Sequence, residues 1–151
     1  MSETESVIAS LYLPVSNKQL LLPNVSVAEV VAYQEPKKIN DAPDYLLGMI
    51  HWRGIDIPVV SYELANGLKL NDTTTNARIA VINTIGEHQS SLPFFAMITQ
   101  GIPRLVKVRE DLIKKTKQKK GAADAALIKV DGEDATIPNI DYLESLVHSQ
   151  I

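Results

Sequence analysis

The chain has 151 residues and a formal net charge of −3, and 45% of its residues are hydrophobic although only 5% are aromatic. Such a length forms one domain or two small subdomains, with a core that must be mainly aliphatic. The negative charge argues against nucleic acid as the main partner, and the absence of cysteine excludes disulfides and thiolate chemistry.

Short strands are predicted along the first part of the chain. Residues 7–13 alternate apolar with mostly polar side chains, which is typical of a strand with one buried face. A second strand is expected over residues 18–22. Residues 25–33 are rich in β-branched valine and favour a third strand. After a loop with two prolines, we expect one helical turn at residues 44–47.

Residues 48–60 form a distinctive unit, in which two apolar strands meet at the dipeptide Arg53-Gly54. Gly54 supplies the positive φ that a tight reversal needs, whereas Arg53 does not help the turn. A structural role, in which Arg53 binds a loop carbonyl, and a functional role are both open. Trp52, the sole tryptophan, is by default a core anchor, but beside an arginine it can also mark the rim of an interface.

The remainder of the chain continues with strands. They are predicted at residues 78–85, 92–98 and 104–109, with polar loops at 71–76 and 86–91. Asp131-Gly132 predicts a further hairpin. Asn139 is a candidate N-cap for a helix, because apolar residues follow it at helical spacing. This pattern indicates a small all-β barrel or a pair of barrels with a C-terminal helix.

No catalytic or metal-binding motif is recognisable. His51, His88 and His148 lie far apart and in no ligand spacing, and there is no nucleophile elbow or phosphate-binding glycine loop. We therefore expect no enzyme activity, no catalytic residue, no metal and no cofactor.

The strongest charge bias lies in the lysine-rich stretch at residues 114–120. It is compatible with a patch for nucleic acid, anionic lipid or an acidic protein face, and also with a solvated loop. No aromatic residue is interleaved with the lysines, which removes the stacking that single-stranded nucleic acid usually uses. A small β-barrel module that binds nucleic acid or anionic lipid through this stretch is the alternative function.

Several segments follow one another in a recognisable order. Val27-Ala28-Glu29-Val30 is followed by a proline loop, by the Gly48–Gly54 corner and by the apolar segment Pro58-Val59-Val60. In this order they resemble the CheW-like domain of bacterial chemosensory systems, with its V-x-E-V, G-x-x-x-x-R-G and P-V-V elements. The resemblance extends through residues 137–143. It implies that residues 1–151 form a single domain of this family.

The resemblance implies a mainly β fold, with two small five-stranded SH3-like barrels packed side by side around an apolar groove, short helical turns and a C-terminal helix. It also implies a non-catalytic adaptor between the cytoplasmic tips of methyl-accepting chemoreceptors and a histidine kinase, whose regulatory domain has the same fold. No nucleic acid is expected as a partner. The protein-binding residues carried over by position or placed beside them are Val27, Glu29, Val30, Gly48, Trp52, Arg53 and Gly54.

Some positions depart from the family pattern. Ser61 and Thr99 stand where aspartate is usual, and Tyr62 replaces leucine. We expect these sites to serve turns rather than partner contacts. The departures suggest a divergent adaptor for a pathway other than flagellar chemotaxis, such as control of type IV pili and twitching motility. The N-terminus, residues 1–6, is acidic and no apolar run is long enough to span a bilayer, which predicts a cytoplasmic protein without direct membrane insertion.

Overall fold

The computed structural model describes residues 7–16, 18–68, 76–84 and 92–150. The strands in this part of the chain are β1 (Val7–Val15), β2 (Lys18–Pro23), β3 (Val27–Ala32), β4 (Leu46–Trp52), β5 (Ile55–Val60), β6 (Arg78–Asn83), β7 (Phe94–Thr99), β8 (Arg104–Arg109), β9 (Ile113–Lys115), β10 (Asp124–Val130) and β11 (Glu133–Pro138). Two helices, α1 (Tyr62–Ala65) and α2 (Ile140–His148), and 3-10 turns at Asn24–Ser26 and Glu110–Leu112 complete the described chain.

The strands form two sheets. Sheet 1 has the order β8-β1-β2-β11-β10-β9, and sheet 2 has the order β3-β6-β7-β5-β4. Most neighbouring strands are antiparallel, but β2 pairs with β11 and β5 with β7 in parallel. The chain therefore begins in sheet 1, builds all of sheet 2 and returns to sheet 1. This confirms the mainly β fold with two subdomains, and sheet 1 has a sixth, three-residue strand in β9.

Local expectations were met at both hairpins and at the C-terminal helix. Asp131 and Gly132 take positive φ values of 51° and 81° between β10 and β11. The side chain of Asn139 accepts a hydrogen bond from the Tyr142 amide at 2.9 Å, which caps α2. The loop expected at residues 86–91 lies outside the described residues, as does that at 71–76 except for Asn76.

Two local predictions were wrong. Only residues 44 and 45 form a turn, and Leu46 already begins β4, because it pairs with Val60 and is buried. Burial of an apolar side chain in a paired strand outweighs the weak preference for one helical turn. Val25, expected in a strand, lies in a 3-10 turn, and β3 begins at Val27.

Three apolar clusters hold the chain together. One lies within sheet 1 around Tyr12 and Ile128, and a second lies within sheet 2 around Trp52 and Ile79. The third, the shared cluster, contains residues of both sheets and of α2, including Leu13 and Phe95. The two subdomains are therefore joined by a common core.

A set of polar contacts, the α1 clasp, also joins the sheets; its residues are Ser16, Tyr62, Glu63, Asn66 and Asp124. The Tyr62 hydroxyl donates a hydrogen bond to the Asp124 carboxylate. The Ser16 amide and hydroxyl donate to Glu63 Oε2 at 3.1 and 2.9 Å. Burial, followed by the neighbouring carboxylate of Asp124, raises the pKa of Tyr62. Tyr62 therefore stays a neutral donor at any ordinary pH.

Gly48 allows a close backbone contact inside sheet 2. Lys37, in the chain after β3, exchanges backbone hydrogen bonds of 2.8 and 2.9 Å with Met49 of β4. This isolated bridge joins the segment that follows the edge strand β3 to the opposite edge strand β4. Gly48 has φ = 145°, and a Cβ atom there would lie 2.3 Å from the Lys37 carbonyl oxygen. Only glycine fits without displacing the bridge.

We predict that Gly48→Ala lowers the free energy of unfolding by about 2–4 kcal/mol, because it adds both backbone strain and this overlap. The matched control is Gly132→Ala, since Gly132 also has positive φ but no atom within 4 Å of a Cβ. The control should cost only about 1 kcal/mol. Urea denaturation measures both, and equal losses would contradict the role given to the Lys37 bridge.

Candidate functional site

The corner between β4 and β5 is a two-residue hairpin turn. Arg53 has φ = 48° and Gly54 has φ = 82°, and Trp52 pairs with Ile55 across the turn. A tight hairpin of this kind requires positive φ at both central residues, which is why Asn, Asp and Gly are the usual choices. Arg53 therefore holds a left-handed backbone conformation that costs a non-glycine residue about 1 kcal/mol.

Three side chains meet at this corner: Glu29, Trp52 and Arg53, which we call the corner triad. Arg53 Nη2 lies 3.2 Å from Glu29 Oε1, and the guanidinium carbon lies 4.9 Å from the centre of the Trp52 ring. Trp52 Nε1 donates a hydrogen bond to the same Glu29 oxygen at 2.9 Å. The glutamate thus fixes the indole and the guanidinium relative to each other.

The triad runs from the core to the surface. Trp52 is 7% exposed and belongs to the core of sheet 2, where its ring meets Phe94 edge-on with centroids 4.9 Å apart. The side chains of Glu29 and Arg53 are 39% and 65% exposed. Trp52 is thus a core anchor, whose N–H group orients the exposed charges.

A β-bulge positions Glu29. The pairing of β3 with β6 shifts by one residue between Val27, opposite Ile82, and Glu29, opposite Val81. Such a bulge bends the strand and re-aims its side chains. Regular alternation along β3 would not have indicated which face Glu29 occupies.

The other predicted site residues lie apart from the triad contacts. Val27 and Val30 are partly buried against the shared cluster. Gly48 is buried at the Lys37 bridge. Gly54 completes the turn beside Arg53. The structure therefore brings together Glu29, Trp52 and Arg53.

Two exposed apolar residues were missing from the sequence-based set. Ile55 follows the corner directly and is exposed, and Val25, just before β3, is 82% exposed. The apolar character of both was visible in the sequence, but it gave no information about exposure. Ile55 adds apolar surface next to the triad.

One of the cavities lined by described residues has a mostly apolar wall. It has a volume of about 220 Å³ and lies beside β4, with Ile39, Ala42, Pro43, Leu46 and Leu47 in its wall. Leu46 belongs to the shared cluster, and Ile39 and Ala42 pack against it.

One histidine–carboxylate pair lies on the strands that flank the corner. His51 Nδ1 lies 3.1 Å from Asp56 Oδ1, but both side chains are largely exposed, and the described residues place no nucleophile in contact with the pair. Among the described residues, no group of three or more potential metal-ligating His, Asp or Glu side chains was found. The charged side chains at and beside the corner are thus partly or largely exposed.

The three residues that depart from the family pattern each form hydrogen bonds within the chain. Ser61 Oγ accepts a hydrogen bond from the Leu64 amide at 3.1 Å and caps α1. Thr99 Oγ1 donates to the Gly101 carbonyl at 3.1 Å. Tyr62 belongs to the α1 clasp.

Comparisons with known proteins agree on the fold. The family model of the CheW-like domain matches residues 10–147. The crystal structure of the scaffolding protein TtCheW from Thermoanaerobacter tengcongensis superimposes with a TM-score of 0.77 at 19% identity, covering 91% of this chain and 92% of that one. No curated protein matches significantly. In the described ranges, neither helix has the length and apolar character needed to cross a bilayer.

We predict that Glu29→Gln and Glu29→Ala differ in stability. Gln retains an acceptor for the Trp52 N–H and loses only an exposed ion pair, which is worth about 0–1 kcal/mol. Ala leaves the indole N–H without its acceptor and should cost about 1–3 kcal/mol. Denaturation followed by the emission of the sole tryptophan measures both, and equal losses would contradict the orienting role of Glu29.

Proposed function

This chain belongs to the CheW-like domain family, and from that membership we propose that it is a non-catalytic signalling adaptor that couples chemoreceptors to a chemotaxis-type histidine kinase. The corner triad is the proposed protein-binding site, together with Ile55 and the cavity beside β4. The proposed place of action is the cytoplasm, where such receptors present their signalling tips.

The energetics of Arg53 carry this proposal. Its left-handed backbone costs about 1 kcal/mol relative to glycine. An exposed ion pair returns about 0–1 kcal/mol, and an exposed cation–π contact about 0.5–1 kcal/mol. Because cost and gain nearly cancel, folding stability gives no reason to prefer arginine to glycine at this turn. An oriented, exposed guanidinium next to apolar Ile55 suits recognition of a protein partner.

Two partners are proposed, and each would contact a different part of this site. The regulatory domain of the kinase, which would share the fold of this chain, is the proposed partner of the corner. A receptor tip, which is a helical hairpin, would insert an apolar side chain into the cavity beside β4, whose wall residue Leu46 belongs to the shared cluster against which Val27 and Val30 also pack. Apolar burial would supply affinity, and the charges of the triad would supply orientation.

The pathway is part of the proposal. The departures at Ser61, Tyr62 and Thr99 support a divergent adaptor, and a chemosensory system that controls type IV pili and twitching motility is our candidate. The alternative function, in which a small β module binds nucleic acid or anionic lipid through residues 114–120, has weaker support, because the corner triad would then have no role.

We predict that Arg53→Gly separates binding from stability. The variant should unfold within about 1 kcal/mol of the wild type, because the relief of backbone strain offsets the lost contacts. Its affinity for the purified regulatory domain of the cognate kinase should fall about tenfold or more. Calorimetric titration and thermal unfolding provide the two measurements.

Arg104→Ala is the matched control. Arg104 also lies over an aromatic ring, 4.6 Å from the centre of Tyr12, and pairs with Glu133 at 2.7 Å, but it has no positive φ. It should leave kinase binding unchanged. A large loss of stability in Arg53→Gly with binding intact, or equal loss of binding in both variants, would refute the proposed site.

A further inference from the structure

Positive charge is concentrated in one short segment of the chain. Residues 114–120 contain five of the 15 lysines and arginines and no carboxylate, whereas the remaining residues contain ten basic and 18 acidic side chains. The rest of the chain therefore carries a net charge of −8. We call residues 113–121 the lysine segment.

The structure places like charges against each other here. Lys114 of β9 lies directly opposite Lys129 of β10 in the register of sheet 1, an arrangement that destabilises a sheet. Lys114, Lys115, Lys117, Lys119 and Lys120 are all exposed. Within the described ranges, no carboxylate lies at ion-pair distance from any of these five ammonium groups. The described part of the chain thus supplies no ion pair to these five lysines.

The backbone of the segment is nevertheless held in place. The Thr116 amide donates to the Leu127 carbonyl at 2.9 Å, and the Gly121 amide donates to Asp124 Oδ2 at 2.8 Å. Asp124 is part of the α1 clasp, so one end of the segment is anchored to the junction between the sheets. An anchored segment loses less conformational freedom on binding than a free loop would.

A cavity of about 190 Å³ lies next to these lysines. The cavity is lined by Lys115, Thr116, Gln118 and Lys120 of the lysine segment and by residues 125–127 of β10. Ammonium, hydroxyl and amide groups can all donate hydrogen bonds to a carboxylate. The cavity has room for one acidic side chain.

We propose that the lysine segment binds a short acidic segment of a protein partner, at a surface separate from the corner triad. The triad lies in sheet 2, whereas the lysine segment lies in sheet 1. A membrane surface or a long nucleic acid would extend its negative charge beyond the lysines, over the remainder of the chain, whose net charge is −8. The segment also has no aromatic or arginine side chain for stacking on bases. A short acidic peptide meets neither difficulty.

The test is a titration of the full chain with a fluorescent synthetic peptide of alternating Glu and Ser. We expect binding that weakens as salt is raised and that disappears when the glutamates are replaced by glutamine. The triple variant K115Q/K117Q/K120Q should bind about tenfold more weakly, because it removes the two lysines that line the cavity and one exposed lysine between them.

The control is K37Q/K38Q/K107Q, which changes the net charge equally at exposed lysines elsewhere; it should bind within about twofold of the wild type. Arg53→Gly should bind the peptide normally, so failure of the adaptor proposal would leave this result intact. Absence of peptide binding, an equal loss in the control, or tighter binding to phosphatidylserine vesicles or to oligothymidylate would each overturn the proposal.

Discussion

The relative position of the two sheets is the constraint on which the surfaces of this protein depend. The shared cluster fixes this relative position by apolar burial. The α1 clasp adds polar contacts across the junction, because buried Tyr62 and Glu63 bind Asp124 of β10 and Ser16, which follows β1. A buried polar group without a partner costs about 1–3 kcal/mol, so these hydrogen bonds favour the observed arrangement of the sheets. The cavity beside β4 and the anchor of the lysine segment at Asp124 both depend on this junction.

Two surface features cost the folded chain free energy. Arg53 takes a backbone conformation that glycine would adopt without strain, and Lys114 faces Lys129 across two paired strands. The contacts of Arg53 only about offset its backbone cost, and among the described residues Lys129 has a carboxylate partner in Asp134 whereas Lys114 has none. Features of this kind are often retained where a partner supplies the missing interaction. They lie on different sheets, which is consistent with an adaptor that binds more than one protein.

Much of the fold could be predicted from the sequence, because strand alternation, the Asp131-Gly132 turn and the Asn139 cap are local signals. The candidate site was only partly predictable. Arg53 and Glu29 could be named from the family pattern. Their contact with Trp52 depends on a bulge in β3, which no residue type in the sequence indicates. The left-handed backbone of Arg53 was hidden because the adjacent glycine seemed sufficient for the turn. The helical turn expected at residues 44–47 failed because strand pairing at Leu46 overrode local preference.

The corner triad is proposed to lie within the interface with a protein partner. The single tryptophan gives one indole N–H resonance, from a proton that is hydrogen-bonded to Glu29 beside Arg53. Titration of the isotope-labelled protein with the regulatory domain of the cognate kinase tests this placement of the triad. If the triad lies in the interface, this resonance shifts in step with binding and saturates with it. Saturable binding that leaves the indole resonance unmoved would contradict it.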